Sequence, residues 1–562
     1  MKKLLVLAVS LSVLTLGLPA HVSGAVKAAE PLADAVPGLT PAPRDALTRA
    51  LEAGGITEAE YSLERARSLF EPEAVARRFG EIATPDAREA TLVLRDLALR
   101  KHELSGEERA AADGMLSRPT DNRGGDPINI NYGGANSKRT CSANLCVHYV
   151  TTTTSKHQVD ATDDDANGLP DYVDSVLTVM QQQVWHDEIK RFGFRRPRGD
   201  LASHNNGGNR KIDFYLAQLG TEGLYGYCTS DDPNLGRAIK GTYRFSDMSA
   251  YCVLDNDYRP AEYPEQTPLK NLRVTGAHEF FHAVQFAYDF FEDLWILEST
   301  ATWIEDEVFD GINDNLQFLK TSAMRTPRVP LDYGDPSTGI PYGNFVFWRY
   351  ARERFRRKVV RQVWNQADGA RGGPDLYSLK ATRKVLDRKS SFGKVFSKFA
   401  LANFLPGRFY SEGASYRTAT GGGAPVSDSF TLGKFHRRTA WVSRRLDHLA
   451  SSYLMFKRGK GVGPDTRIKV NVDGPGLKSK PKALLIALDG SQVVRKKLVR
   501  LDGKGVGSDR VPFGKVTRVL LVLSNASTRF RDCFTDFRSP FSCAGHPVDQ
   551  NKSFRFSASL IN

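Results

Sequence analysis

Two histidines four residues apart with an acid beside the first, His278-Glu279-Phe280-Phe281-His282, carry the strongest chemical signal in the chain. On a helix, positions i and i+4 lie one turn apart on the same face, so both imidazoles can reach one ion. Zinc suits such a pair and asks for a third protein ligand and an open position. Glu279, turned about 100° from His278, can take a proton from an attacking water without occupying the metal and pass it to a leaving amine. Fifteen residues separate His282 from Glu298. A turn near residues 290–292 would fold the next helix, 293–305, back onto the first and bring Glu298 level with the histidines as the third ligand. Glu305, two turns further along the same face, is placed to hydrogen-bond a ligand histidine from behind. The neighbouring acids Glu292, Asp293, Asp306 and Glu307 are expected in solvent.

A helix must hold these histidines rigidly. Within 272–290, Val274, Ala277, Phe281 and Val284 form the apolar stripe that would bury one. Ahead of it, residues 151–154, 212–216 and 250–254 are β-branched or alternating and predict strands, giving an α+β domain over 123–416. Residues 26–122 hold no cysteine and read as helical, with helix formers over 86–97 and a second helix starting near Ser105. They suit an inhibitory or folding-assisting propeptide, or an ordinary N-terminal helical domain. A Gly- and Pro-rich stretch at 418–425 marks a flexible linker, set at 417–440. Short apolar runs at 453–456, 468–472, 483–488 and 519–523 then predict an all-β sandwich over 441–562.

Residues 1–25 have the layout of a secretory signal: Lys2 and Lys3, an apolar run over 4–18, and small residues to Ala25. The mature protein is therefore expected outside the cell, with no later segment long and apolar enough for a membrane span. Six cysteines in an exported chain favour disulfides, most simply the sequence-local pairs Cys141 with Cys146, Cys228 with Cys252 and Cys533 with Cys543. The net charge is +14, but the Lys and Arg residues are dispersed and read as solvated surface, not as a nucleic-acid site.

A second ion is suggested by residues 163–174. Asp163, Asp165, Asn167, Asp171 and Asp174 occupy loop positions one, three, five, nine and twelve, Leu169 offers a carbonyl, and Gly168 stands where the chain must turn. This resembles the calcium loop of EF-hands and dockerins, except that position twelve is Asp where the loop usually carries Glu and that a strand, not a helix, is expected ahead of it. A structural calcium is the reading; an acidic turn capping the next helix is the alternative.

The string Asp293-Leu294-Trp295-Ile296-Leu297-Glu298-Ser299-Thr300-Ala301, with Trp303 and Glu305 beyond it, resembles the segment that follows HExxH in M1-like gluzincin metallopeptidases. The departure is spacing, since those families usually place eighteen residues where this chain has fifteen. The mature chain as a whole also resembles bacterial secreted proteins described as metalloproteases. The resemblance implies a zincin-like catalytic domain, with His278, His282 and Glu298 as zinc ligands and Glu279 as general base. It also implies an oxyanion donor from a PYxKG-type string. Ile340-Pro341-Tyr342-Gly343 is similar to that string and nominates Tyr342, although the lysine and second glycine are missing. The M1 aminopeptidase string GxMEN is absent; Asp255 is the only acid near the corresponding strand, so endopeptidase action on peptides or proteins is expected. Two rivals stand beside the peptidase reading. One is a non-catalytic secreted binding protein with structural zinc and calcium, attaching to a surface or polymer through its C-terminal domain. The other is a zinc hydrolase of non-peptide substrates.

Overall fold

A computed structural model describes residues 45–83, 88–121, 130–536 and 538–562. The expected secretory signal and the start of the pro-region lie outside them. Among the described residues, five N-terminal α-helices come first: α1 Ala46–Glu52, α2 Glu58–Ser68, α3 Pro72–Phe79, α4 Ala90–Arg100 and α5 Gly106–Met115. Helix α2 opens on a full capping box, Thr57 and Glu60 satisfying each other's backbone amides.

A five-stranded sheet follows, built from β1 Ser137–Cys141, β2 Leu145–Val150, β3 Ile212–Ala217, β4 Gly226–Thr229 and β5 Tyr251–Asp255. Its order is β1-β2-β3-β5-β4. The central pairs β2–β3 and β3–β5 are parallel, and the outer pairs β1–β2 and β4–β5 are antiparallel. Strand β4 is thus an antiparallel edge strand. The strand expected at 151–154 lies just ahead of that position, because the wholly buried run Leu145–Val150 pairs on both sides while the threonines form the turn after it. Between β2 and β3 runs α6 Asp171–Thr178, continued to Arg191 by two π-helical stretches.

Helix α7, Pro233–Ile239, precedes α8, Pro268–Tyr288, which starts with Thr267 capping the Lys270 amide and Pro268 in the first turn. Residues 289–293 make the reversal into α9, Leu294–Val308. Both helices are buried around nearly their whole circumference, in one core with the sheet and the N-terminal helices.

Residues 417–440 do not form the expected linker. Gly413–Thr420 is a helix that ends on Gly421 at φ 65°, and Asp428–Leu432 is an edge strand of the C-terminal domain. Glycine at 423 serves close packing: a Cβ there would lie 2.2 Å from the Phe404 carbonyl oxygen. The C-terminal region is strand-rich. Its two larger sheets, of five and four strands, share a core of inward residues such as Leu454, Leu521, Val470 and Phe556. The outer face of the larger sheet carries Tyr453, Ile486 and Val522 against Ala400 and Leu401 of the helix Phe392–Phe404, so the two regions share apolar contact. All three expected disulfides are formed. Among the described residues no helix is long and apolar enough to cross a membrane.

Candidate metal centre

Helices α8 and α9 bring His278, His282 and Glu298 together, with one ligand atom from each within 4.8 Å of the others. The Nε2 atoms face the Glu298 carboxylate, 3.2 Å from His278 to Oε2 and 3.4 Å from His282 to Oε1. All three side chains are buried, and among the described residues both Nε2 atoms and both Glu298 oxygens have no hydrogen-bond partner beyond this close approach to one another. Buried polar atoms left this way cost about 1–3 kcal/mol each. Four of them converging on one point is a donor set for a cation.

The far sides of the rings are fully engaged. Glu305 Oε1 lies 2.6 Å from His278 Nδ1, as the seven-residue spacing from Glu298 suggested. Gln285 Oε1 lies 2.8 Å from His282 Nδ1, and the Gln285 amide donates to the Leu297 carbonyl and the Thr300 hydroxyl on α9. Gln285 went unnoticed in the sequence, although its position three residues after His282 places it on the same helix face. These contacts aim both Nε2 atoms at Glu298.

Burial sets the electrostatics. It pushes the Glu279 carboxyl up to about 7, against smaller opposing pulls from His278 and the Thr91 hydroxyl. It lowers His282 to about 4, so this ring is neutral, the form that ligates. At His278 burial also disfavours the cation, but the Glu298 and Glu305 carboxylates outweigh it and raise the ring above its ordinary value.

Glu279 reaches outside its own helix. Its Oε2 accepts a hydrogen bond of 2.7 Å from Thr91 on α4, and the same hydroxyl accepts from the Cys228 amide of β4. Tyr342 is buried on the short helix Ile340–Gly343, its ring stacked on His278 with centroids 6.3 Å apart and on Phe318 at 5.1 Å. Gly343 permits that approach, since a Cβ there would lie 2.5 Å from the Phe318 carbonyl oxygen. Asp255 is otherwise employed: its carboxylate accepts from the amides of Leu219, Gly220, Asp257 and Tyr258.

The acids expected in solvent are buried instead. Glu292 accepts from the Ser378 amide, Asp293 from the Cys543 amide, Asp306 pairs with Arg349, and Glu307 pairs with Arg352 and Arg357. Each partner lies 43 to 250 residues away, so the local pattern of the helix could not reveal it. In the acidic loop, Asp163, Asp165 and Asp171 come together, whereas Asp174 is not in that cluster. Asn167 donates to Asp165 and accepts the Leu169 amide, and Asp163 accepts the Asn167 and Gly168 amides.

No family model matches the chain and no curated protein does. Among solved structures, the pre-peptidase C-terminal domain of a collagenase from Bacillus anthracis is similar over 24% of this chain and 97% of that chain, at 11% identity and a TM-score of 0.14. A periplasmic inhibitor of g-type lysozyme from Aeromonas hydrophila is similar over 24% of this chain and 100% of that chain, at 10% identity and a TM-score of 0.15. A family GH115 4-O-methyl-alpha-glucuronidase is similar over 66% of this chain and 54% of that chain, at 10% identity and a TM-score of 0.13. Likenesses at those TM-scores carry no argument about fold or activity.

Proposed function

We propose that this chain is a zinc-dependent peptidase of gluzincin type, secreted and acting within peptide or protein chains. The observation that carries the reading is the convergence of His278 Nε2, His282 Nε2 and the Glu298 carboxylate, all buried and, among the described residues, facing only one another, beside the carboxyl of Glu279. Those three residues would hold the zinc, which when bound acidifies water and polarises a scissile carbonyl. Glu305 and Gln285 keep the imidazoles in the ligating orientation. Glu279, poised near neutrality by burial, takes the proton of the attacking water and returns it to the leaving amine. Tyr342, against the His278 ring, is the candidate donor to the oxyanion that develops on the former carbonyl. The mixed sheet, with its antiparallel edge strand β4 packed near α8, is read here as the scaffold of a zincin-like domain. The acidic loop is assigned a structural calcium, resting on the grouped Asp163, Asp165 and Asp171. For the C-terminal domain, attachment to a surface or polymer is the proposed role.

Zinc titration of the metal-free protein tests the site. One zinc per chain is expected, lost in His278→Ala, His282→Ala and Glu298→Ala. The Glu279→Gln variant should bind zinc and fold as wild type yet cleave nothing in a peptide library. A protein that takes up no stoichiometric zinc would falsify the metal reading, and turnover by Glu279→Gln at the wild-type rate would remove Glu279 from the chemistry.

A further inference from the structure

Helix α4 is buried over most of its length, but its polar residues are not those of an ordinary core helix. Arg88, just before it, and Thr91 and Arg95 within it follow helical spacing along one face. That face points at the candidate centre. Arg88 pairs with Asp314 at 2.7 Å and lies over the rings of Tyr225 and Phe318, the latter stacked on Tyr342. Arg95 donates to the carbonyls of Phe290 and Glu292 in the reversal that joins the two site helices, at 2.6 and 2.9 Å. Thr91 sits between them and holds Glu279 with its proton and the Cys228 amide with its lone pair.

Those last two groups are the ones an extended peptide would need. Strand β4 lies at the edge of its sheet, and an edge strand is where an added strand finds backbone partners. We propose that α4 is an autoinhibitory plug: it fills the cleft between β4 and α8, and Thr91 caps both the general base and an edge-strand amide until the N-terminal helices are removed. This rests on the peptidase reading. The frontier between plug and enzyme follows from the next contacts along the chain. Ser117 accepts from the Tyr251 hydroxyl, and the fully buried Arg118 donates to Asp200 and Asp213, so from Ser117 onward the chain belongs to the catalytic body. Upstream, the start of α5 at Ser105 and Gly106 is exposed, with Gly106 at φ 53° and open space around it.

A site-specific protease sequence inserted between Ser105 and Gly106 of the full chain allows the plug to be cut and separated. Binding of a peptide hydroxamate to the zinc-loaded protein and hydrolysis of a peptide library are read before and after. Both should rise by about 100-fold or more on removal, the ratio expected when the competent state is populated at about 1% or less. Equal hydroxamate binding by whole and plug-free protein overturns the plug. Tighter hydroxamate binding without hydrolysis supports the plug and overturns the peptidase reading. The second measurement needs no cut: in the full chain, Arg88→Ala/Thr91→Val/Arg95→Ala should surrender zinc to dipicolinate about tenfold faster than wild type. Equal rates in that folded variant also overturn the plug.

Discussion

Replacing Glu305 by Gln removes one charge from behind the His278 ring while keeping an acceptor oxygen in place. The contact is short, 2.6 Å from Oε1 to Nδ1, and both residues are buried. A hydrogen bond to a charged partner contributes about 1.5–3 kcal/mol and a neutral one about 0.5–1.5. The difference, about 1–1.5 kcal/mol, is a roughly five- to twelvefold weakening of zinc binding at 1.4 kcal/mol per tenfold. It approaches the 10- to 100-fold range found for partners that orient ligand histidines. Burial raises the Glu305 pKa in the metal-free protein, so the desolvation relieved by neutralising it offsets the lost pairing with His278, and the fold should keep its stability. Competitive titration with a chromogenic chelator gives the zinc Kd of both proteins, and calorimetry on the metal-free forms checks that their melting temperatures agree within about 2 °C. An unchanged Kd in a normally folded variant would refute the claim that Glu305 acts through His278.

Tyr342→Phe should retain zinc and melting temperature but, in protein freed of residues 1–105, lower kcat by about 10²-fold with a smaller change in KM; wild-type kcat would send the search for the oxyanion donor elsewhere. Millimolar calcium should raise the melting temperature and protease resistance of wild type, and Asp163→Ala/Asp165→Ala should abolish both effects. No shift in wild type would leave the loop as an acidic helix cap. Asp549 in the C-terminal domain accepts from the Ser479 and Ser527 hydroxyls and faces Arg529 and Lys552. Burial opposes its ionisation, but these contacts prevail and hold its carboxyl below the usual range. Its stabilisation is therefore complete above the unfolded pKa of about 3.9 and fades as pH falls through the lower folded value. The gap in melting temperature between wild type and Asp549→Asn should be open at pH 6 and close in acid; a gap independent of pH would contradict this.

The parts of the site that could be read from sequence are those that local geometry dictates. A 3.6-residue period puts His278 and His282 on one face and Glu298 and Glu305 on another. A short reversal makes the two helices neighbours, because chain so close to a turn has few places to go. The same locality made the three disulfide pairs legible, since each joins cysteines no more than 24 residues apart. What surrounds the site depended on tertiary packing. Thr91 meets Glu279 across 188 residues of chain, and Cys543 meets Asp293 across 250. The acids around the two candidate-site helices are expected in solvent from sequence because nothing within a helical turn could pair with them; distant arginines and backbone amides do. Residues 418–425, rich in glycine and so read as a linker, are packed tightly enough that the absence of a side chain at 423 is what fits. Helical periodicity alone determined where the candidate ligands point, whereas which distant groups cover them, and whether a substrate can reach them, was decided only when the chain closed on itself, because those contacts leave no periodic trace in either segment that makes them.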